Sequence, residues 1–163
     1  MTVPALYVTV IGVGNCLRGD DAIGLIVARR LRAQLPSSVT IIESSGDVPS
    51  LLEAMVDEGS VILLDAMRSG APPGAVRRFD ALRAPLPPFF AGLSTHTFGV
   101  AEIIELARTL GTLPRQLIVY GLEGQDFSLG ADISSAVSYS IDHVVATVIS
   151  DLWLQMAPRA AHC

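Results

Sequence analysis

The chain has 163 residues, half of them hydrophobic and 17% charged, which is enough apolar material for the core of one domain. Its mean hydropathy of +0.50 is high, but no apolar run approaches the ~20 residues of a bilayer-spanning helix, so buried strands are expected and membrane insertion is not. A net charge of −5 argues against nucleic-acid binding, which needs a basic surface, and the lack of a signal-peptide pattern makes a cytoplasmic protein the expectation.

In chain order, Leu6–Ile11 is β-branched and apolar and then meets Gly12 and Gly14, which reads as a buried strand ending in a tight turn. Asp20 and Asp21 precede Ile23, Ile26, Val27 and Leu31, a helical face that Pro36 ends. Acidic residues suit a helix start, and Asp20 reads as its N-cap. Val39–Glu43 is a second strand, Val48–Val56 a short helix, and Val61–Leu64 a wholly apolar third strand that runs into Asp65. Ala75–Phe79 follows as a fourth strand. Ala81–Thr95 is a loop rich in proline, carrying Phe89 and Phe90; it could dock a partner or anchor itself in the core. Thr97–Leu110 is a helix with Phe98, Ala101, Ile104 and Ala107 inward, closed by Gly111. Leu117–Tyr120 is the fifth strand, and Ser134–Met156 a long helix with Val137, Ile141, Val144, Val148 and Leu152 at helical spacing. The domain covers 1–157, with 158–163 as a C-terminal tail.

Strands alternate with helices, and the strands are apolar throughout. That pattern predicts a single α/β domain, a twisted and mostly parallel sheet of about five strands sandwiched between helices. Ligands of such sheets sit beyond the carboxyl ends of the strands. Asp21 follows the first strand, Asp65 ends the third, and His96 opens a helix after the proline-rich loop, so all three can converge on that edge. Taken singly, Asp21 also reads as a solvated first-turn carboxylate and His96 as a helix-cap residue. Asp65 is harder to explain away, because a charge ending an apolar strand is costly unless paired or ligated. His143 and His162 have no partner motif and read as surface or partly buried residues.

Gly12-Val13-Gly14-Asn15 after a strand resembles a dinucleotide-binding loop, but Leu17 stands where a third glycine belongs. Asp20 and Asp21 would also repel a phosphate at that helix start. Cys16 and Cys163 have no CxxC spacing, so neither a structural disulfide nor a zinc knuckle is expected.

The segment GVGNCLRGDDAIG, Gly12 to Gly24, resembles the N-terminal signature of the hydrogenase maturation proteases. VILLDAMRSG (Val61 to Gly70), STHTFGVAEIIELARTLG (Ser94 to Gly111) and LIVYGLEG (Leu117 to Gly124) resemble further segments of that family in the same order. The likeness covers nearly the whole chain. It implies an endopeptidase that removes a short C-terminal peptide from the large-subunit precursor of a nickel-iron hydrogenase, with Asp21, Asp65 and His96 as the metal-contacting and catalytic residues. It also implies nickel supplied by the substrate, with no tightly held cofactor. Glu43-Ser44-Ser45-Gly46-Asp47 departs from the Asp-Gly-Gly-Thr-type turn of many members, a place that bears on substrate fit. Two carboxylates and an imidazole can bind nickel, zinc or related ions while leaving coordination positions open. Either the nickel polarises the peptide bond or its water, or it positions the bond while Asp21 or Asp65 acts as general base. The family motif requires no cysteine at Cys16, which argues against a thiol nucleophile. Two other readings stand beside the protease: a chaperone that recognises the nickel-loaded tail without cutting it, and a Rossmann-like nucleotide-binding domain.

Overall fold

The computed structural model describes residues 7–56, 59–90 and 98–156. Five strands form one sheet: β1 (Val8–Val13), β2 (Val39–Ser44), β3 (Ser60–Met67), β4 (Val76–Asp80) and β5 (Gln116–Glu123). Their order is β2-β1-β3-β5-β4. The first four in that order run parallel, and β4 is an antiparallel edge. Four helices cover the sheet: α1 (Ile23–Gln34), α2 (Val48–Met55), α3 (Val100–Leu110) and α4 (Ser135–Met156).

Side chains alternate across a strand. Val8, Val10, Ile62, Leu64, Ile118 and Tyr120 therefore pack with α1 and α4. Ile11, Val13, Val61, Leu63, Leu117 and Val119 pack with α2 and α3 on the other face. Both faces are covered, which is why the central strands are apolar at nearly every position. The expected sandwich of about five strands in one domain is the one observed; the tail 158–163 lies outside the described residues.

Several boundaries differ from expectation for physical reasons. β1 continues to Val13, and Gly12 pairs in register with Glu43 and Leu64 instead of turning the chain. Leu6, its expected start, lies outside the described residues. α3 begins at Val100 after an extended Gly99, so its buried stripe is Val100, Ile103, Ile104 and Ala107. Phe98 precedes the helix and is 65% exposed rather than inward; Thr97 lies outside the described residues. Gly111 closes α3 in the left-handed conformation (φ 70°), as its position suggested. In the proline-rich loop, Pro88–Phe90 forms a 3-10 turn with Phe90 buried. Its ring lies 5.3 Å from that of Phe79, edge to face, so the aromatic pair anchors this stretch to the sheet. Residues 91–95 of that loop are outside the described residues.

Candidate active site

Close backbone packing brings the first two carboxylates together. A Cβ on Gly24, in the first turn of α1, would collide with the carbonyls of Val13 and Leu64, and one on Gly12 would collide with the carbonyl of Gly24 and the methyl of Ala28. Two glycines face to face therefore let α1 lie directly on β1 and β3 at their carboxyl ends. The 3-10 turn before it, Gly19–Ala22, is carried to the same place. Asp21 lies three residues before Gly24, and Asp65 follows Leu64, whose carbonyl Gly24 touches. The glycines of the first-strand motif thus serve helix-to-sheet contact, not a phosphate cradle.

The sheet topology marks this point independently. From β1 the chain passes to β2 on one side and to β3 on the other, so β1/β3 is where the strand order reverses. Crevices at such switch points are the usual ligand sites of open parallel sheets. β3 outruns β1 here: Leu64 pairs with Gly12, whereas Asp65 pairs only with Gly121 of β5.

The electrostatics show that the two carboxylates feel each other. Burial pushes Asp65 well above the usual carboxylate range, and the nearby charge of Asp21 adds to that rise, against one hydrogen bond from the Ala66 backbone. Burial also raises Asp21, opposed by the Asn15 backbone N–H and the charge of Arg18. Two half-buried carboxylates held together disfavour ionisation of both unless a cation joins them. Asn15 also shapes the turn, since its Oδ1 accepts the N–H of Leu17 at 2.9 Å.

Asp20 does not cap the helix start. It is fully buried (0% exposed), and no side-chain cap is made at that 3-10 turn. Instead it faces the loop after β5. Its Oδ2 accepts the N–H groups of Gln125 (2.7 Å) and Asp126 (2.9 Å) and the Ser134 hydroxyl (2.8 Å), and its Oδ1 accepts the Ser134 N–H (2.8 Å). Burial raises its pKa, but these bonds together outweigh burial and hold it below the usual range. Glu123, the last residue of β5, does similar work. It is 3% exposed and accepts the N–H groups of Ser69 and Gly70 and the Ser69 hydroxyl. Sequence reading missed both anchors. One signal was available for the first: neighbours in a 3-10 turn point about 120° apart, so Asp20 and Asp21 could not both face the same crevice.

His96, the third expected contact, lies outside the described residues. α3, which starts four residues after it, covers the face that Val61 and Leu63 share with Asp65. Among the described residues no group of three or more His, Cys, Asp and Glu side chains could hold a metal ion. Cys16 is free and exposed. His143 is exposed on α4; His162 and Cys163 are outside the described residues. No helix among the described residues is long and apolar enough to cross a membrane.

Residues 25–151 match the family model HycI, hydrogenase maturation protease. This stretch contains Asp65 and His96 and begins just after Asp21. The chain is 26% identical over 162 residues to the hydrogenase 2 maturation protease of Escherichia coli, covering 96% of this chain and 98% of the relative. It is 26% identical to the hydrogenase expression/formation protein HupD of Bradyrhizobium diazoefficiens, covering 94% of this chain and 83% of the relative. Among solved structures, the hydrogenase maturating endopeptidase HybD from Escherichia coli superposes with a TM-score of 0.77 at 25% identity, covering 91% and 93% of the two chains. The [NiFe] hydrogenase maturation protease HycI from Thermococcus kodakarensis has a TM-score of 0.65 at 21% identity, covering 90% and 92%, a likeness of fold alone.

Proposed function

The chain belongs to the hydrogenase maturation protease family, and from that premise we propose that it removes a short C-terminal peptide from the nickel-loaded large-subunit precursor of a nickel-iron hydrogenase, reading the nickel through Asp21, Asp65 and His96. Family membership makes it a hydrogenase maturation endopeptidase, which sets aside the non-cleaving chaperone and the nucleotide-binding domain.

The observation that carries the nickel-reading part is the coupled carboxylate pair at the β1/β3 switch point. Burial raises both groups, and the charge of Asp21 raises Asp65 further. A divalent cation between them removes that repulsion and offsets the cost of burial. The donors are oxygens, with an imidazole expected from His96. Such a set lacks the thiolates that would hold nickel tightly. It suits a metal whose main ligands are cysteines of the precursor, so an unloaded precursor lacks the bridge to the enzyme and is spared. The nickel would supply Lewis-acid polarisation of the bond it adjoins. Asp21 or Asp65 then takes a proton from the attacking water as general base.

Single replacements Asp21→Asn, Asp65→Asn and His96→Ala test the assignment, with processing of nickel-loaded precursor followed by gel mobility and folding checked by circular dichroism. Each folded variant is expected to leave the precursor uncut. Full processing by all three would remove these residues from the mechanism.

A further inference from the structure

At the β5–α4 loop lies a cleft of about 410 Å³ lined by Arg18, Arg68, Gln125, Asp126, Phe127 and Ser128. We propose that this cleft holds a carboxylate of the precursor's C-terminal tail, on the side of the scissile bond that is cut away; the proposal rests on the endopeptidase reading above.

Its two guanidinium groups are pre-positioned. Arg18 Nε donates to the carbonyl of Phe127 at 3.3 Å. The guanidinium carbon of Arg68 sits 4.6 Å from the centre of the Phe127 ring. Stacking uses the flat face of a guanidinium and leaves its in-plane N–H groups free, which is the edge that grips a carboxylate in a two-pronged bond. Neither arginine has a carboxylate in salt-bridge contact among the described residues, whereas six other arginines do.

The cleft does contain one acid, Asp126. Its carboxylate accepts the Ser128 N–H at 2.9 Å, and that bonding lowers its pKa, so it is charged. The charge of Arg18 is shared with Asp21 and Asp126 stands in the same lining, which leaves Arg68 as the cation that a carboxylate ligand would meet.

The floor is rigid for a reason already described. Buried Asp20 ties down the backbone of Gln125 and Asp126, and Gly130 N–H donates to the Leu17 carbonyl at 2.7 Å. The place relative to the chemistry follows from the strand. Arg68 comes three residues after Asp65 and just past the end of β3, which is ~10 Å at strand rise. A carboxylate held there sits at the same edge of the sheet as a bond held at Asp65. It could be an acidic side chain of the tail or the tail's own terminus.

Short labelled alanine peptides distinguish these sources: one with a free terminal carboxylate, its C-terminal amide, and the amide carrying an internal glutamate. Titrated by NMR against the full chain and against Arg68→Gln, at least one carboxylate peptide is expected to bind at the cleft and to weaken with salt. It should lose about tenfold in affinity in the variant, as expected on losing a bidentate charged contact. The plain amide should not bind. The arm that binds identifies a terminal or a side-chain carboxylate. Equal binding of the amide, absence of binding by both carboxylate peptides, or an unchanged affinity in Arg68→Gln would overturn the proposal. In parallel, Arg68→Gln should raise KM for nickel-loaded precursor more than it lowers kcat. Peptide binding that depends on Arg68, with no precursor cleavage by the wild type, would refute the endopeptidase reading and leave the cleft standing; cleavage with Arg68-independent peptide binding would do the reverse.

Discussion

Replacing Asp20 by asparagine keeps the shape of a side chain that no water reaches and removes only its charge. In the best orientation the amide oxygen replaces Oδ2 and keeps three bonds, from Gln125, Asp126 and the Ser134 hydroxyl, now neutral instead of charge-assisted. The amide nitrogen then faces the Ser134 N–H, and that bond is lost, donor against donor. Weakening three charged bonds and losing a fourth, less the desolvation that a neutral group escapes, costs roughly 2–4 kcal/mol. For a domain of this size that is a fall in Tm of roughly 5–15 °C. The pH dependence has a definite sign. Asp20 is held below its ordinary value of 3.8, so its contribution is fully present above that value and disappears as pH falls through the lower folded pKa. The stability gap between wild type and Asp20→Asn should be level near neutrality and should narrow only below pH 3.8. Thermal unfolding followed by circular dichroism across that range measures it. An unchanged Tm at neutral pH, or a gap that narrows already around pH 6, would refute the role of Asp20 as a buried, ionised anchor.

Asp65→Asn should act in the opposite sense in metal-free protein. Its folded pKa is raised, so ionisation of Asp65 destabilises the fold progressively as pH climbs above 3.8; the variant should unfold at higher temperature than wild type at alkaline pH and at about the same temperature near pH 4. A higher wild-type Tm at alkaline pH would refute the desolvation argument. Gly24→Ala places a methyl against the carbonyls of Val13 and Leu64 and should cost about 1–3 kcal/mol as overpacking, with loss of processing beyond what a matched destabilising core variant shows. Unaltered urea stability would show that α1 has room to give. Cys16→Ser should process precursor as wild type does in the gel assay, since the thiol is exposed and outside the carboxylate pair; an inactive but folded variant would reinstate a thiol nucleophile.

Much of the architecture was legible because burial on two faces leaves a plain mark. Val61–Leu64 and Leu117–Tyr120 are apolar at every position only because helices cover both sides. Asp65 stood out against such a strand, and burial there pushes its carboxyl well above the usual range. Gly12 was misread as a turn because a glycine demanded by an approaching helix looks the same in sequence as one demanded by a bend; the difference lies in Gly24, twelve residues on. Phe98 was placed inward because its spacing to Ala101 suits a helix that in fact starts after Gly99. The bonding partners of Asp20 and Glu123 were out of reach for another reason. Asp20 bonds to groups more than a hundred residues away, and backbone N–H donors carry no sequence signature.

Presenting purified enzyme with the same large-subunit precursor in nickel-loaded and nickel-free form, and weighing the products by mass spectrometry, tests most directly whether the carboxylate pair reads a metal carried by the substrate. Loss of a C-terminal peptide from the loaded form alone, abolished by Asp21→Asn, is the expected result. Equal cleavage of both forms would contradict it.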